Sequence, residues 1–127
     1  MMPLTMKTLT TFAECRTTPE IDYPHPDRLV SGNPTRTTWN HYDVNGVSSG
    51  LWDCEPGAWN IAFAKGKDEF FHVISGRLRI TDASNVAREF GPGDAGIIPA
   101  GFTGVFEVLA HVRKHYVIID RANMHSE

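Results

Sequence analysis

Glu69 is the residue in this chain on which chemistry could be built, with Lys65, four positions earlier, as its candidate partner. A carboxylate taken out of water costs on the order of several kcal/mol unless it is paired or protonated. Paired with Lys65 or with the cationic end of a ligand, Glu69 is a binding anchor; satisfied by backbone or by an arginine, it is structural. Left unpaired, its pKa rises and it becomes a candidate acid or base. Glu69 and Lys65 are therefore the candidate catalytic residues. The six histidines offer metal ligation instead, but their placement works against it. His111 and His115 fall on one extended segment, roughly 13 Å apart by strand rise, too far to share an ion. His25 and His125 lie in terminal segments, His41 on an early strand, and His72 alternates away from Glu69. No protein-ligated metal and no other cofactor is expected. No nucleophilic triad, phosphate loop or nucleotide motif is apparent.

At 127 residues the chain has the length of one domain with a single core. Its 12 basic and 15 acidic side chains are spread along the sequence. Without clustered Lys or Arg, neither nucleic acid nor an anionic membrane is an expected partner. The stretch from Met1 to Phe12 does not have the pattern of a signal peptide, and no apolar run approaches the ~20 residues of a membrane span. A cytoplasmic protein with Cys15 and Cys54 reduced is the expectation, Cys54 serving as a small core residue.

Residues 1–34 contain Pro19, Pro24, Pro26 and Pro34 together with Gly32 and Asn33, which exclude long helices and favour an extended arm. That arm could lie on its own domain or on a second subunit. From Thr35 onward short β-rich segments alternate with turn signals, the spacing of an all-β sandwich or barrel. The strands are read as 35–42, 47–54, 58–64, 69–75, 77–81, 87–90, 95–98, 103–108 and 112–119. The organisation is an arm (1–34), a barrel (35–120) and a tail (121–127).

Glu69 is followed by six residues and Gly76, and sixteen residues later by Gly93-Asp94-Ala95-Gly96-Ile97-Ile98-Pro99-Ala100-Gly101. These segments resemble the paired motifs of the cupin superfamily, in which glycines, a proline, an acid and several histidines stand at fixed spacing. Here the glycines, the proline and the acid are present and the histidines are not: the His-x-His sites fall on Phe63 and Lys65, a register supported by Gly57, or in the alternative register on Ala62 and Ala64, and the second motif's His falls on Gly104. Further pieces are similar to the small single-domain cupins related to ureidoglycine aminohydrolase and ethanolamine-utilisation proteins. They include Gly50-Leu51-Trp52, Glu55-Pro56-Gly57-Ala58-Trp59 and Val112-Arg113-Lys114-His115-Tyr116-Val117. The resemblance covers about Trp39 to Asp120. It implies an all-β double-stranded β-helix, a cupin jelly-roll barrel with the arm appended, and commonly a homodimer; it carries no activity.

If Phe63 and Lys65 take the inward sites, two-residue alternation turns Trp59 and Ile61 inward with them. Glu69, Phe71 and Val73 then share one face, and Gly104, Phe106 and Val108 another. The expected ligand-binding wall is Trp59, Ile61, Phe63, Phe71, Phe106 and Val108, around Glu69 and Lys65. Parity puts Glu107 outside and leaves Lys114 undecided. An aromatic cavity with a few convergent polar groups is the form of a small-molecule site, although the same aromatics could simply fill a core. Three functions compete. The first is a metal-free pocket for a small amine-bearing or ureido-like metabolite; the second, a metal-dependent enzyme using ligands outside the motif; the third, a dimeric scaffold with a filled barrel.

Overall fold

The computed structural model describes residues 7–125; residues 1–6 of the expected arm and 126–127 of the expected tail lie outside them. Among these residues nine strands form one continuous antiparallel network: β1 (Glu20–Asp22), β2 (Leu29–Ser31), β3 (Arg36–Val44), β4 (Val47–Cys54), β5 (Gly57–Ala62), β6 (Lys67–Asp82), β7 (Ala87–Phe90), β8 (Ala95–Ile98) and β9 (Thr103–Asp120). The expected all-β class holds, and 47–54, 87–90 and 95–98 are strands with those bounds. Two corrections stand out. The expected pairs 69–75 with 77–81, and 103–108 with 112–119, are each one long strand, because bulges bend the chain without ending its pairing.

The two long strands organise the molecule. The first half of β9 pairs with β5, from Ala62↔Thr103 to Gly57↔Val108, and the second half with β4, from Cys54↔Val112 to Val47↔Ile119. Strand β6 lies along both halves of β9, with register shifts between Val73 and Leu78. At this bend the inward parity of β6 switches: Glu69, Phe71 and Val73 are buried before it, Leu78 and Ile80 after it. Gly76 sits at the switch with φ +82°, and a Cβ there would stand 2.0 Å from the His111 carbonyl oxygen. Strand β9 bends without such a switch, so Phe106, Val108, Val112, Lys114 and Tyr116 are all buried.

Between Glu20 and Ser31 the chain pairs with its own barrel. Strand β1 pairs with β3 and β2 with β5, so the proline-punctuated segment adds two short strands to the barrel's edges. The β3–β4 hairpin turns through Asn45 and Gly46, φ 49° and 84°, the left-handed pair that a two-residue hairpin requires. The core gathers Cys54, Trp59, Phe71, Val73, Leu78 and their neighbours. Both cysteines are free, and burial pushes the Cys54 thiol up to about 12. No helix among the described residues is long and apolar enough to cross a membrane.

Substitution at two positive-φ glycines separates conformational strain from steric conflict. Gly93 has φ +90° with nothing within 4 Å of an added Cβ, so Gly93→Ala should cost about 1–3 kcal/mol of backbone strain alone. Gly76→Ala adds a collision with backbone and should cost clearly more. Urea unfolding of both variants checks the order, and equal losses would contradict the account of the bend.

Candidate functional site

The site is built from three strands. Glu69 projects inward from the first half of β6, Lys114 from the second half of β9, and Trp52 from β4, where it stands opposite Lys114 in the ladder. Lys114 Nζ donates to Glu69 Oε2 at 2.6 Å, and the two side chains are only 5% and 11% exposed. Three ring faces surround the ammonium: Trp52 at 4.6 Å, Phe106 at 5.0 Å and Phe71 at 5.2 Å from their centroids. Each face offers the negative side of its quadrupole to the charge. A buried cation is thus held by one carboxylate and an aromatic box. The rings also brace one another, with Trp52 edge-on to Phe106 at 5.7 Å and Trp59 against Phe106 at 5.1 Å.

Above the pair opens a cavity of about 390 Å³. Trp52, Trp59 and Phe106 form part of its wall, Ile61 and Phe63 lie nearer the end of β5, and Tyr116 faces it from β9. Tyr116 donates its hydroxyl to Asn40 Oδ1 at 2.7 Å. Burial, with the negative charge of Glu69 adding to it, pushes its phenol up to about 12. Among the described residues nothing donates to Glu69 Oε1, yet no fully buried polar side-chain atom lacks a partner. Oε1 is therefore not fully buried, and Glu69 borders the cavity.

Of the expected wall, Trp59, Ile61, Phe63 and Phe106 border the cavity. Phe71 and Val108, 1% and 2% exposed, pack in the core instead. The expected pairing of Glu69 with Lys65 is corrected. Strand β5 ends at Ala62 and the chain turns through Lys65 and Gly66, so alternation no longer governs Lys65, which is exposed and does not border the cavity. Lys114 takes that place. Lys114, Trp52 and Tyr116 were all accessible from the sequence: even-numbered parity carried through β9 from Phe106 reaches Lys114 and Tyr116, and parity back from Cys54 reaches Trp52. Of the remaining residues considered, Glu107 pairs with Arg79 at 3.1 Å, and the His72 ring stacks on His115 at 6.5 Å.

A model of the EutQ-like cupin domain matches residues 44–116. The chain belongs to this family. Among solved structures, a DUF861-family protein of unknown function from Pseudomonas syringae pv. tomato superposes with TM-score 0.71 at 21% identity, over 83% of this chain. The chain spans only 45% of that protein. The EutQ protein of Clostridium difficile gives TM-score 0.62 at 22% identity, covering 79% of this chain and 81% of its own. A putative ethanolamine utilization protein, EutQ, of Salmonella typhimurium gives 0.60 at 15%, covering 84% and 99%. These likenesses establish the fold, a cupin jelly-roll barrel. No curated protein matches the chain.

Metal-binding cupins draw imidazoles and a carboxylate onto one ion, and this cupin's donor set does not fit one. Two of the histidine positions are Phe63 and the exposed Lys65. At the third, Gly104, an added Cβ would meet the Thr81 carbonyl oxygen at 2.1 Å, so no side chain fits there without moving the backbone. The acid, Glu69, is engaged by an ammonium. Among the described residues no other cluster of three His, Cys, Asp or Glu could hold an ion.

The ion pair sets two expectations. Glu69→Gln and Lys114→Met should each cost about 3–5 kcal/mol, because each strands a buried charge, whereas the double variant should stand within about 2 kcal/mol of wild type. A denaturant double-mutant cycle checks this; additive losses would mean that the charges do not rely on one another. The second expectation concerns alkaline pH. The Tyr116 phenol is raised from 10.0 to about 12 in the folded protein, so the unfolded chain loses that proton first. The stability linked to it is complete below the unfolded value and is lost as pH rises through the folded one. Urea midpoints of wild type should therefore fall more steeply between those pH values than midpoints of Tyr116→Phe; parallel profiles would count against the raised phenol.

Proposed function

We propose that this cupin binds a small metabolite carrying an uncharged ureido or amide group in the barrel cavity. The observation that carries the reading is the Glu69–Lys114 pair at the floor of an open cavity. A carboxylate oxygen and an ammonium side by side complement a group with an N–H donor next to a carbonyl acceptor. The N–H would donate to Glu69 Oε1, and the carbonyl would accept from one of the remaining Lys114 protons. Trp59, Ile61 and Phe63 would cover the apolar remainder.

A ligand held mainly by a cationic amine is less well supported, because Lys114 already neutralises Glu69. The cavity's other ionic side chains balance as well: Glu20 and Asp22 stand against Arg36 and Lys67. A filled barrel without a ligand is also less well supported, since a volume of about 390 Å³ lies within the range of ordinary small-molecule sites.

Titration calorimetry and thermal unfolding with butylurea, and with butylamine as comparator, test the reading. Butylurea should release binding heat and raise the unfolding temperature, butylamine should do neither, and the Glu69→Gln/Lys114→Met double variant should stay folded and lose the response. Silence from butylurea would defeat the proposal. A response from butylamine alone would restore the cationic-ligand reading in its place.

A further inference from the structure

A second cavity, of about 360 Å³, adjoins the first at the barrel mouth and shares Arg36, Trp59, Ile61, Phe63 and Lys67 with it. Its ionic character is different. Arg28, Arg36, Lys67 and the imidazole of His25 border it, and no Asp or Glu does. In a chain of formal charge -3, a concave surface whose charged side chains, Arg28, Arg36 and Lys67, are all basic is a departure from the overall balance.

The commitments of these side chains differ. Arg36 is spent: its guanidinium grips Asp22 through two bonds, 2.9 and 2.7 Å, and lies over the Trp59 ring at 5.4 Å. It fixes the wall that the two cavities share. His25 accepts from the Asp27 backbone N–H at 3.1 Å, and the Asp27 carboxylate stands 3.7 Å away. Arg28 and Lys67 have no carboxylate partner among the described residues. Arg28 Nη1 donates to the Asn60 carbonyl at 3.4 Å, while Asn60 Nδ2 donates to the Arg28 carbonyl at 3.4 Å. This reciprocal pair ties the turn before β2 to β5 and leaves the rest of the guanidinium fork unused. Lys67 Nζ lies over the Phe63 ring at 5.4 Å. A fork and a point charge on one concave surface are the donors that an oxyanion takes.

We propose that Arg28 and Lys67 form an oxyanion subsite at the barrel mouth, which receives a carboxylate or phosphate borne by the ligand. The subsite itself stands on the cationic cavity, and only the placement of the ligand's other end rests on the ureido reading above. Together the two describe a short metabolite with an uncharged hydrogen-bonding group on the Glu69–Lys114 floor and an anionic end at the mouth. No covalent step is involved.

Two measurements test this, and they fail separately from the ureido reading. In the first, acetate or inorganic phosphate is titrated into the isotope-labelled full chain against chloride at constant ionic strength, with backbone amide shifts followed by NMR. Saturable shifts at Arg28, Asn60 and Lys67 are expected, abolished in Arg28→Met/Lys67→Met and kept in Glu69→Gln/Lys114→Met. Response to acetate alone would assign a carboxylate, and response to phosphate alone a phosphate; response to both supports either. Shifts no larger than chloride's, or shifts that survive in Arg28→Met/Lys67→Met, would overturn the subsite. In the second, N-carbamoyl-β-alanine should bind wild type about tenfold tighter than butylurea, and that advantage should vanish in Arg28→Met/Lys67→Met. Equal affinities would overturn the anionic end of the ligand. If butylurea is silent while the phosphate or acetate shifts stand, the ureido reading falls and the subsite remains.

Discussion

A lysine ammonium buried against a single carboxylate is the interaction around which this barrel is arranged. Neither charge is tolerable alone in that position, so every element that shields one must be placed to serve the other. Glu69 comes from the front half of β6, and Lys114 from the back half of β9. The rings that face the ammonium come from β4, β6 and the front half of β9. Phe106 and Lys114 can reach one point from a single strand only because β9 bends between them, pairing with β5 before the bend and β4 after it. The curvature of the barrel and the burial of the pair are thus one constraint seen from backbone and from side chain.

The same pair takes up the acid of the cupin motif, whose histidine positions hold other residues here. A metal site concentrates positive charge at the barrel centre and surrounds it with neutral imidazoles. Here a side chain provides the positive charge, and aromatic faces take the place of nitrogen donors. Gly104 is part of this exchange, since its bare backbone packs against the Thr81 carbonyl where a ligand side chain would otherwise need room. Phe63, at another of those positions, becomes cavity wall with Lys67 over its ring. The resulting interior is built around an ion pair and the ring faces that enclose it.

How much of this could be read from sequence depended on where local rules apply. Asn45-Gly46 has a single conformational answer, a tight turn, and the strand expected after it, 47–54, has those bounds. Alternation correctly turned Trp59 and Phe106 inward, because each lies within an uninterrupted ladder. It failed for Lys65, where the ladder had already stopped at Ala62, a boundary set by hydrogen bonding to β9 that no local pattern announces. It holds at Lys114 too, since the parity of β9 persists across its bend, whereas β6 changes parity at Gly76. Both strands bend in the fold, and only one carries a positive-φ glycine at its bend; that difference is the sequence signal for which of them loses its alternation. Nothing local reveals that the arm returns to its own barrel, since β1 and β2 are three residues each and gain their pairing from strands far along the chain.

Those two short strands give the molecule an uneven distribution of stability. The floor belongs to β4, β6 and β9, long strands that share the core, and it cannot be disturbed without exposing a buried charge. The mouth is assembled from the arm: Asp22 on β1 holds Arg36, and Arg28, in the turn before β2, is tied to Asn60 by two long hydrogen bonds. Strand β1 is exposed throughout and adds three residue pairs to the edge of β3. Elements with few buried contacts open at far lower free energy than the global fold. The arm-built end can therefore loosen while the Glu69–Lys114 pair, held by the long strands, stays intact.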